Sequence, residues 1–279
     1  MLQVFKNCVA SSLLTTNRRL IAVQSRSMGK LDGKVAVVTA STEGIGLAIA
    51  KKLGKDGAHV VISSRKQKNV DKALQELKAE NLSVSGMVCH VGNGDHRKAL
   101  FEKAVSDFGG LDILVSNAAV NPYFGTLITT PEQAFDKIME INVKAAYLLV
   151  KEAAPYIEKR GKGSIVLVSS IGGLVPFSML GAYSISKTAL LGMNKVLSSE
   201  LAPNNIRVNC IAPGIIKTKF SGALWTSPEQ KEIIESTNPM NRLGEPDECA
   251  GIVSFLCSEE ASFITGETIV IAGGAQSRL

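Results

Sequence analysis

Tyr183 and Lys187 lie four residues apart, shortly after a run of β-branched residues that ends near Ser170. Side chains at this spacing share one face of a helix, so the lysine ammonium would stand beside the tyrosine phenol. At about 4 Å and an effective dielectric constant of about 20, that interaction is worth roughly 4 kcal/mol, or about three pKa units. The pKa of the tyrosine would fall from about 10 toward about 7, which suits a proton donor.

Tyr147 and Lys151 have the same spacing, so the spacing alone does not identify a site. Tyr147 lies inside a long predicted helix, whereas Tyr183 follows a predicted buried strand and the hydroxyl of Ser170. We therefore predict that Tyr147 and Lys151 serve helix packing and the surface.

The segment Thr39–Gly46 joins the first predicted strand to a helix and contains two glycines. Glycine permits a tight turn there and lets a pyrophosphate approach the free N–H groups of the helix. The pattern G-x-G-x-x-G is absent, so an ordinary strand-to-helix turn explains the segment equally well when it is taken alone.

The second predicted strand ends at Ser63–Lys66, about 20 residues after Gly44, where an NAD-binding fold places an acid that binds the ribose 2′-hydroxyl. No acid occurs before Asp71. The planar guanidinium of Arg65 suits a 2′-phosphate instead, which favours NADPH. The alternative is a solvated basic turn.

Short β-branched runs alternate with longer helical periods through the body of the chain, and we find no internal repeat. This pattern predicts a single-domain α/β fold, a Rossmann-like, doubly wound parallel sheet of about seven strands with helices on both faces. In such a sheet ligands bind at the carboxyl ends of the strands. The predicted strands are Val35–Thr39, His59–Ile62, Ser83–Cys89, Ile113–Ser116, Ile165–Ser169, Ile206–Ile211 and Ile269–Ile271. The predicted helices are Leu47–Lys55, Val70–Glu80, Arg97–Phe108, Pro131–Ile157, Tyr183–Leu201 and Asp247–Ser258.

Composition excludes several classes of protein. The 279 residues are 45% hydrophobic and 20% charged, as in a soluble globular protein. Five of the 31 Lys and Arg residues precede Asp32, so 26 remain against 25 acids, and this near-neutral body argues against nucleic-acid binding. The three histidines and five cysteines form neither H-E-x-x-H nor C-x-x-C, which argues against a zinc enzyme and favours a reducing compartment. No apolar run reaches the roughly 18 residues of a membrane helix, so no membrane insertion is expected.

Several motifs follow the predicted strands in order: Thr39–Gly46, Ser116–Ala119, Asn142, Ser170, Tyr183–Lys187 and Pro213–Gly214. As an ordered combination this series is highly specific, and it resembles the classical short-chain dehydrogenase/reductases over nearly all of residues 32 to 275. Further segments resemble peroxisomal NADPH-dependent carbonyl and retinal reductases of that family: Ser63–Gln67, Asn117–Pro122, Gly251–Cys257 and Ser277–Leu279.

The resemblance implies roles for individual residues. Tyr183 would be the general acid/base, Ser170 would donate a hydrogen bond to the substrate oxygen, and Lys187 would lower the tyrosine pKa and hold the nicotinamide ribose. Asn142 would anchor a water for proton relay, although from the sequence alone it is only a surface polar residue in a helix. The implied NADPH/NADP+ contacts are Thr39, Ser41, Gly44, Ile45, Gly46, Ser64, Arg65, His90, Val91, Asn117, Tyr183, Lys187, Pro213, Gly214, Ile216 and Thr218.

Three positions depart from the family pattern. Ala40 replaces the first glycine of the turn, and its methyl group would crowd a bound cofactor. Ala119 replaces a glycine after Asn-Ala. His90 stands where many members have an aspartate that contacts adenine, and we expect it to cap the end of a strand rather than to bind adenine.

Apolar residues near the catalytic set predict the substrate pocket. Together they indicate a small-molecule carbonyl substrate: aromatic ketones, α-dicarbonyls, retinal or ketosteroids. We predict an NADPH-dependent reductase of ketones and aldehydes. A 3-oxoacyl-thioester reductase stays open because Lys217 and Lys219 could bind a carrier phosphate, and so does a non-catalytic nucleotide-sensing protein. The predicted pocket residues are Phe177, Leu180, Phe220, Leu224 and Trp225.

The ends of the chain predict its location. Residues 1–30 form a flexible or targeting segment, residues 31–275 the catalytic domain and residues 276–279 a targeting tail. Ser277–Leu279 resembles the S-K-L address read by the peroxisomal import receptor, so we expect a peroxisomal protein. The basic N-terminal segment resembles a transit peptide and makes the mitochondrial matrix the alternative.

Two long helices predict the assembly. Pro131–Ile157 and Tyr183–Leu201 carry more apolar residues than one sheet face should cover. Family members pair these helices across a two-fold axis, so we predict a homotetramer. The apolar residues are Ile138, Ile141, Val143, Leu148, Leu149, Leu190, Leu191, Val196 and Leu197.

Overall fold

Short runs of Val and Ile form the strands of one parallel sheet. The computed structural model describes residues 29–225, 227–228, 232, 236 and 238–277. The strands in this part of the chain are β1 Val35–Val38, β2 His59–Ser64, β3 Val84–Val88, β4 Ile113–Ser116, β5 Gly163–Val168, β6 Ile206–Pro213 and β7 Thr268–Ile271. Their order in the sheet is β3-β2-β1-β4-β5-β6-β7, and every neighbouring pair is parallel.

Helices cover both faces of this sheet, because successive side chains of a strand point to opposite faces. The helices are α1 Gly44–Lys55, α2 Gln67–Ala79, α3 Gly94–Phe108, α4 Glu132–Met139, α5 Ala145–Glu158, α6 Gly181–Leu201 and α7 Pro246–Cys257. Ala36 and Val38 pack into a core with α1, α2 and α7, whereas Val35 and Val37 pack into a second core with α3, α5 and α6. The prediction of a doubly wound, single-domain α/β fold is confirmed.

The long helix predicted over Pro131–Ile157 is interrupted. α4 ends at Met139, a π-helical turn spans Glu140–Lys144, and α5 begins at Ala145. Hydrophobic periodicity does not distinguish one wide turn from a regular one, so the sequence predicted a continuous helix. Such turns are frequent at functional sites, and this one contains Asn142.

Two strands extend further than predicted at the carboxyl-terminal edge of the sheet. β2 runs on to Ser64 because this residue pairs with Val88 of β3. β6 runs on to Pro213, which pairs with Ile271 of β7. The predicted targeting segment falls outside the described residues except for its last two, and so do Arg278 and Leu279 of the predicted tail.

Candidate active site

A cavity of about 890 Å³ opens at the carboxyl ends of the strands. This edge collects side chains from loops that are far apart in sequence, because all the strands of a parallel sheet end on the same side. Tyr183 and Lys187 of α6 line one part of the cavity, and Ser64 and Arg65 after β2 line another. The cavity is therefore long enough to bring the catalytic candidates and the basic turn into one cleft.

The turn between β1 and α1 forms one rim of the cleft. Gly44 has a φ of +57°, a left-handed conformation that favours glycine. A methyl group on Gly46 would lie 2.5 Å from the carbonyl oxygen of Ala40 and 2.5 Å from Nδ2 of Asn117, so only glycine fits there. Ala40 is itself left-handed, with a φ of +49°, which is a strained conformation for alanine.

Thr39 and Ser41, which were predicted to contact the cofactor, are fully buried and support the turn instead. The hydroxyl of Thr39 accepts hydrogen bonds from the backbone N–H groups of Asn117 (3.0 Å) and Ala118 (3.2 Å). The hydroxyl of Ser41 donates to the carbonyl of Val38 (2.6 Å). Their hydroxyls form hydrogen bonds with backbone groups, and neither residue lines the cleft.

Asn117, which directly follows β4, holds the β1–α1 turn in place. Its side-chain amide donates to the carbonyls of Thr39 (3.1 Å) and Ala40 (3.0 Å). The left-handed backbone at Ala40 is therefore held by two hydrogen bonds from a neighbouring loop.

The basic turn after β2 is open to solvent. Arg65 and Lys66 are exposed and line the cavity together with Ser64. Asp71 lies one helical turn after Gln67 in α2, and its carboxylate accepts a hydrogen bond from the Gln67 side chain (2.7 Å). Among the residues described here, the cavity lining contains no acid from this turn.

His90 and Val91 line the cavity after β3. Nδ1 of His90 accepts the backbone N–H of Gly92 (3.1 Å), so the ring caps the turn that follows β3. The carbonyl of Val91 accepts a hydrogen bond from the buried guanidinium of Arg97 (2.7 Å), which also binds Glu152. Arg97 was missed because one arginine in an amphipathic helix gives no signal in the sequence.

Ser170, Tyr183 and Lys187 meet at the opposite end of the cleft. Oγ of Ser170 accepts the backbone N–H of Gly172 (3.0 Å), and its side chain hydrogen-bonds with Tyr183. Nζ of Lys187 donates to the carbonyl of Val168 (2.8 Å) and lies 5.5 Å from the centre of the tyrosine ring. The three residues thus form one contiguous group, where β5 ends and α6 begins.

The pKa of Tyr183 in the structure differs from the pKa that the sequence predicted. Burial raises the pKa of Tyr183 to about 12, against the opposing effect of its hydrogen bond with Ser170. Burial lowers the pKa of Lys187 to about 8. The predicted fall of the tyrosine pKa toward 7 is therefore not seen in this structure, because desolvation is the larger effect and Lys187, with a pKa of about 8, is neutral at the pH where the phenol ionises.

Asn142 is buried, which corrects the expectation of a surface residue. Its amide oxygen accepts from the backbone N–H of Val120 (2.8 Å), and its nitrogen donates to the carbonyl of Val120 (3.0 Å) and to Oγ of Ser186 (3.0 Å). Ser186 in turn donates to the carbonyl of Tyr183 (2.7 Å). Asn142 therefore joins the π-helical turn to the first turns of α6, and Ser186 is the link that the sequence argument missed.

The segment after β6 forms the second rim of the cleft. Pro213, Gly214, Ile216 and Thr218 all line the cavity. A methyl group placed on Gly44 would lie 3.1 Å from Cγ2 of Thr218, so the two rims come close together here.

Four of the five predicted pocket residues line the cavity: Phe177, Leu180, Phe220 and Leu224. The Phe220 and Tyr183 rings lie 6.0 Å apart. Trp225 lies outside the lining, and its indole N–H donates to Oγ of Ser221 (3.0 Å). Placement after Pro213–Gly214 was not enough to bring it into the pocket.

Two negative findings apply to the part of the chain that the structure describes. No helix there is long and apolar enough to cross a membrane. No three His, Cys, Asp or Glu side chains are grouped so that they could hold a metal ion.

Known proteins resemble the chain over most of its length. The family model described as "Enoyl-(Acyl carrier protein) reductase" matches residues 39–276. Dehydrogenase/reductase SDR family member 4 is 60% identical in Bos taurus over 89% of each chain, and 62% identical in Oryctolagus cuniculus over 89% of this chain and 96% of that one. Human dehydrogenase/reductase SDR family member 2, mitochondrial, is 52% identical over 88% of this chain and 87% of its own length.

A solved structure supports the same assignment. A candidate gluconate dehydrogenase from Agrobacterium tumefaciens superposes with a TM-score of 0.86 at 26% identity, over 90% of this chain and 99% of that one. Gly46, whose Cβ would fill the turn, fits the close approach of a dinucleotide pyrophosphate. The chain belongs to the short-chain dehydrogenase/reductase family, whose members are oxidoreductases that use a nicotinamide dinucleotide.

Proposed function

We propose that this protein is an NADPH-dependent reductase of apolar ketones and aldehydes. The observation that carries the proposal is one cleft with Ser170, Tyr183 and Lys187 at one end and an acid-free basic turn, with Arg65, at the other. A grouped proton donor, hydroxyl and ammonium also argue against a non-catalytic nucleotide sensor.

In the proposed reaction each side chain has its own step. A bound nicotinamide dinucleotide supplies the hydride that reduces the carbonyl carbon. Oγ of Ser170 accepts from the backbone N–H of Gly172, so its O–H is the donor toward Tyr183, and a substrate oxygen bound between the two residues would receive that proton's hydrogen bond. Tyr183 then donates its proton to that oxygen, and its high pKa keeps the phenol protonated below about pH 12. Lys187 lies close enough to stabilise the phenolate that remains.

The preference for NADPH rests on Arg65. A hydrogen bond to a charged group is worth about 1.5–3 kcal/mol, so Arg65→Ala should raise the KM for NADPH about ten- to hundred-fold and leave the KM for NADH nearly unchanged. Ser64→Asp should move the preference toward NADH by repelling a 2′-phosphate. Lys68→Ala is the control, because Lys68 is exposed on α2 and does not line the cavity. Equal use of NADH and NADPH by the unmodified protein would contradict the assignment.

An acyl-thioester substrate is the second candidate, since the matched family model is described as an enoyl-(acyl carrier protein) reductase. Lys217 and Lys219, which were expected to bind a carrier phosphate, pair with Glu245 (3.8 Å) and Glu43 (2.8 Å). These pairs reduce the positive charge offered to a phosphate, so we favour free carbonyl compounds. A panel of aromatic ketones, α-dicarbonyls, retinal, ketosteroids and 3-oxoacyl thioesters measured with NADPH distinguishes the two.

We also propose a homotetramer. Ile185 and Val196 of α6 are exposed and lie eleven residues apart, on one face of the helix, and Tyr147 of α5 is exposed as well. The edge strand β7 and the fully exposed Phe263 provide a second apolar face. Two separate faces are what a dimer of dimers needs.

For location we propose the peroxisome, through an import receptor that binds Ser277–Leu279. The support is the sequence of the tail. The mitochondrial matrix is the alternative, and the name of the related human member 2 includes that organelle.

A further inference from the structure

An ion pair crosses the cleft between its two rims, defined as the Thr39–Gly46 turn and the Pro213–Leu224 segment. Nζ of Lys219 lies 2.8 Å from Oε2 of Glu43, although the two residues are 176 positions apart. Both residues line the cavity. The rims also approach each other at the neighbouring positions Gly44 and Thr218.

The position of Glu43 makes its charge important for a cofactor. It is the N-cap residue of α1, and its side chain makes no capping hydrogen bond. The free N–H groups at this end of α1 favour a diphosphate, which an unpaired carboxylate nearby would repel. Pairing with Lys219 neutralises that carboxylate and directs it to the opposite rim.

We propose that Glu43 and Lys219 are positioning residues that form an electrostatic clasp over the cofactor, and that the clasp opens whenever the cofactor exchanges. The inference rests on the proposed function in that the ligand of this cleft is a nicotinamide dinucleotide. The neighbouring pair Lys217–Glu245 is longer, at 3.8 Å, and ends at the N-cap of α7 rather than on the glycine turn.

The clasp is expected to affect rates more than folding. Side chains of Lys219 and Glu43 are 86% and 54% exposed, and pairs this exposed contribute little to stability. Opening the clasp should therefore change cofactor release about two- to five-fold. The effect should fade at high ionic strength, because salt screens exposed charges.

The test measures NADPH release from the full-length protein by stopped-flow fluorescence at low and high salt. The variants are Glu43→Gln, Lys219→Gln and the charge swap Glu43→Lys with Lys219→Glu. The matched control is Lys162→Gln, because Lys162 pairs with Glu259 at 2.7 Å with side chains 55% and 64% exposed, and neither residue lines the cavity. Hydrogen exchange without NADPH provides a readout that needs no cofactor.

Both single variants should release NADPH faster at low salt, and the charge swap should restore slow release. Lys219→Gln should also raise the Kd for NADPH, because it leaves the carboxylate unpaired, whereas Glu43→Gln should not. Backbone N–H groups of both rims should exchange faster in the single variants even without NADPH. Lys162→Gln should behave like the unmodified protein in every measurement.

Release at the unmodified rate from Lys219→Gln at low salt, or a charge swap as fast as the single variants, would overturn the clasp. These outcomes leave carbonyl reduction intact and so concern the clasp alone. An unmodified protein that neither binds NADPH nor reduces carbonyls would overturn the proposed function and the clasp with it.

Discussion

Tyr183 and Tyr147 show how environment separates two residues of the same type and spacing. Tyr147 is 43% exposed on α5, and its partner Lys151 is exposed too. Tyr183 shares a buried site with Lys187, which is only 2% exposed, and contacts Ser170. Chemistry at the residue scale depends on this desolvation, because electrostatic interactions are stronger where water is excluded.

Tyr183→Phe should lower turnover by about 10²- to 10⁴-fold, because it keeps the ring and removes the proton donor. NADPH should still bind, which fluorescence titration would check. Tyr147→Phe is the matched control and should retain full activity. Normal turnover of a folded Tyr183→Phe variant would contradict the proposed mechanism.

The activity of the free enzyme should depend on the charge of Lys187. Its pKa of about 8 means that the ammonium form prevails below that pH and is lost above it, whereas Tyr183 stays protonated up to about pH 12. The kcat/KM for carbonyl reduction should therefore be constant below about pH 8 and fall above it. Lys187→Arg keeps its charge and should remove the break at pH 8. A profile that stays flat from pH 7 to about pH 10 would argue against this role of the lysine.

At the scale of elements, loops at the sheet edge depend on one another. The β1–α1 turn is held by Asn117, which follows β4, and the loop at Val120 is held by Asn142 of the π-helical turn. Asn142 also reaches α6 through Ser186. These hydrogen bonds between elements hold the loops around the site in place.

Gly46→Ala should weaken cofactor binding by at least tenfold and destabilise the fold by about 1–3 kcal/mol, because the new methyl group would collide with Ala40 and Asn117. Gly251→Ala is the matched control: Gly251 is exposed within α7, and a methyl group there meets no atom within 4 Å. That change should stabilise the helix slightly. Thermal unfolding and NADPH titration check both, and intact binding by Gly46→Ala would show that the turn adapts.

At the scale of the whole molecule, the apolar residues of the two long helices divide into two groups. Five of the nine that suggested an interface are buried within the single chain: Ile138, Ile141, Leu149, Leu190 and Leu197. Val196 is 56% exposed, and the remaining three are half-buried. Of that set, only the exposed Val196 and the three half-buried residues therefore leave apolar surface for contact with another subunit.

Light scattering should give a mass about four times the 29.6 kDa of one chain. Val196→Glu should shift it toward smaller species, because it places a charge in the proposed α5–α6 interface. A mass near that of one chain at micromolar concentration would exclude the tetramer.

Deleting Ser277–Leu279 should release a fluorescent fusion from peroxisomes to the cytosol, because the import receptor would lose its address. Replacing residues 1–30 by a neutral linker serves as the comparison. Unchanged organelle staining after the deletion would transfer the assignment to the N-terminal segment and to mitochondria.

The sequence by itself determined the fold class and the order of the elements. Near-continuous Val and Ile runs can be buried only in a sheet covered on both faces, and helical periods between them require parallel connections. It also predicted which motifs follow which strands. The sequence alone therefore places Tyr183, Lys187 and Ser170 at one edge of the sheet.

Tertiary structure alone decided the environment of those residues. Asn142 is buried in the π-helical turn, and the hydroxyls of Thr39 and Ser41 form hydrogen bonds with backbone groups. Trp225 lies outside the pocket, and its indole N–H donates to Ser221. The tertiary structure also raised the pKa of Tyr183 instead of lowering it. Burial, hydrogen-bond partners and desolvation depend on residues that are distant along the chain, so local pattern and spacing cannot supply them.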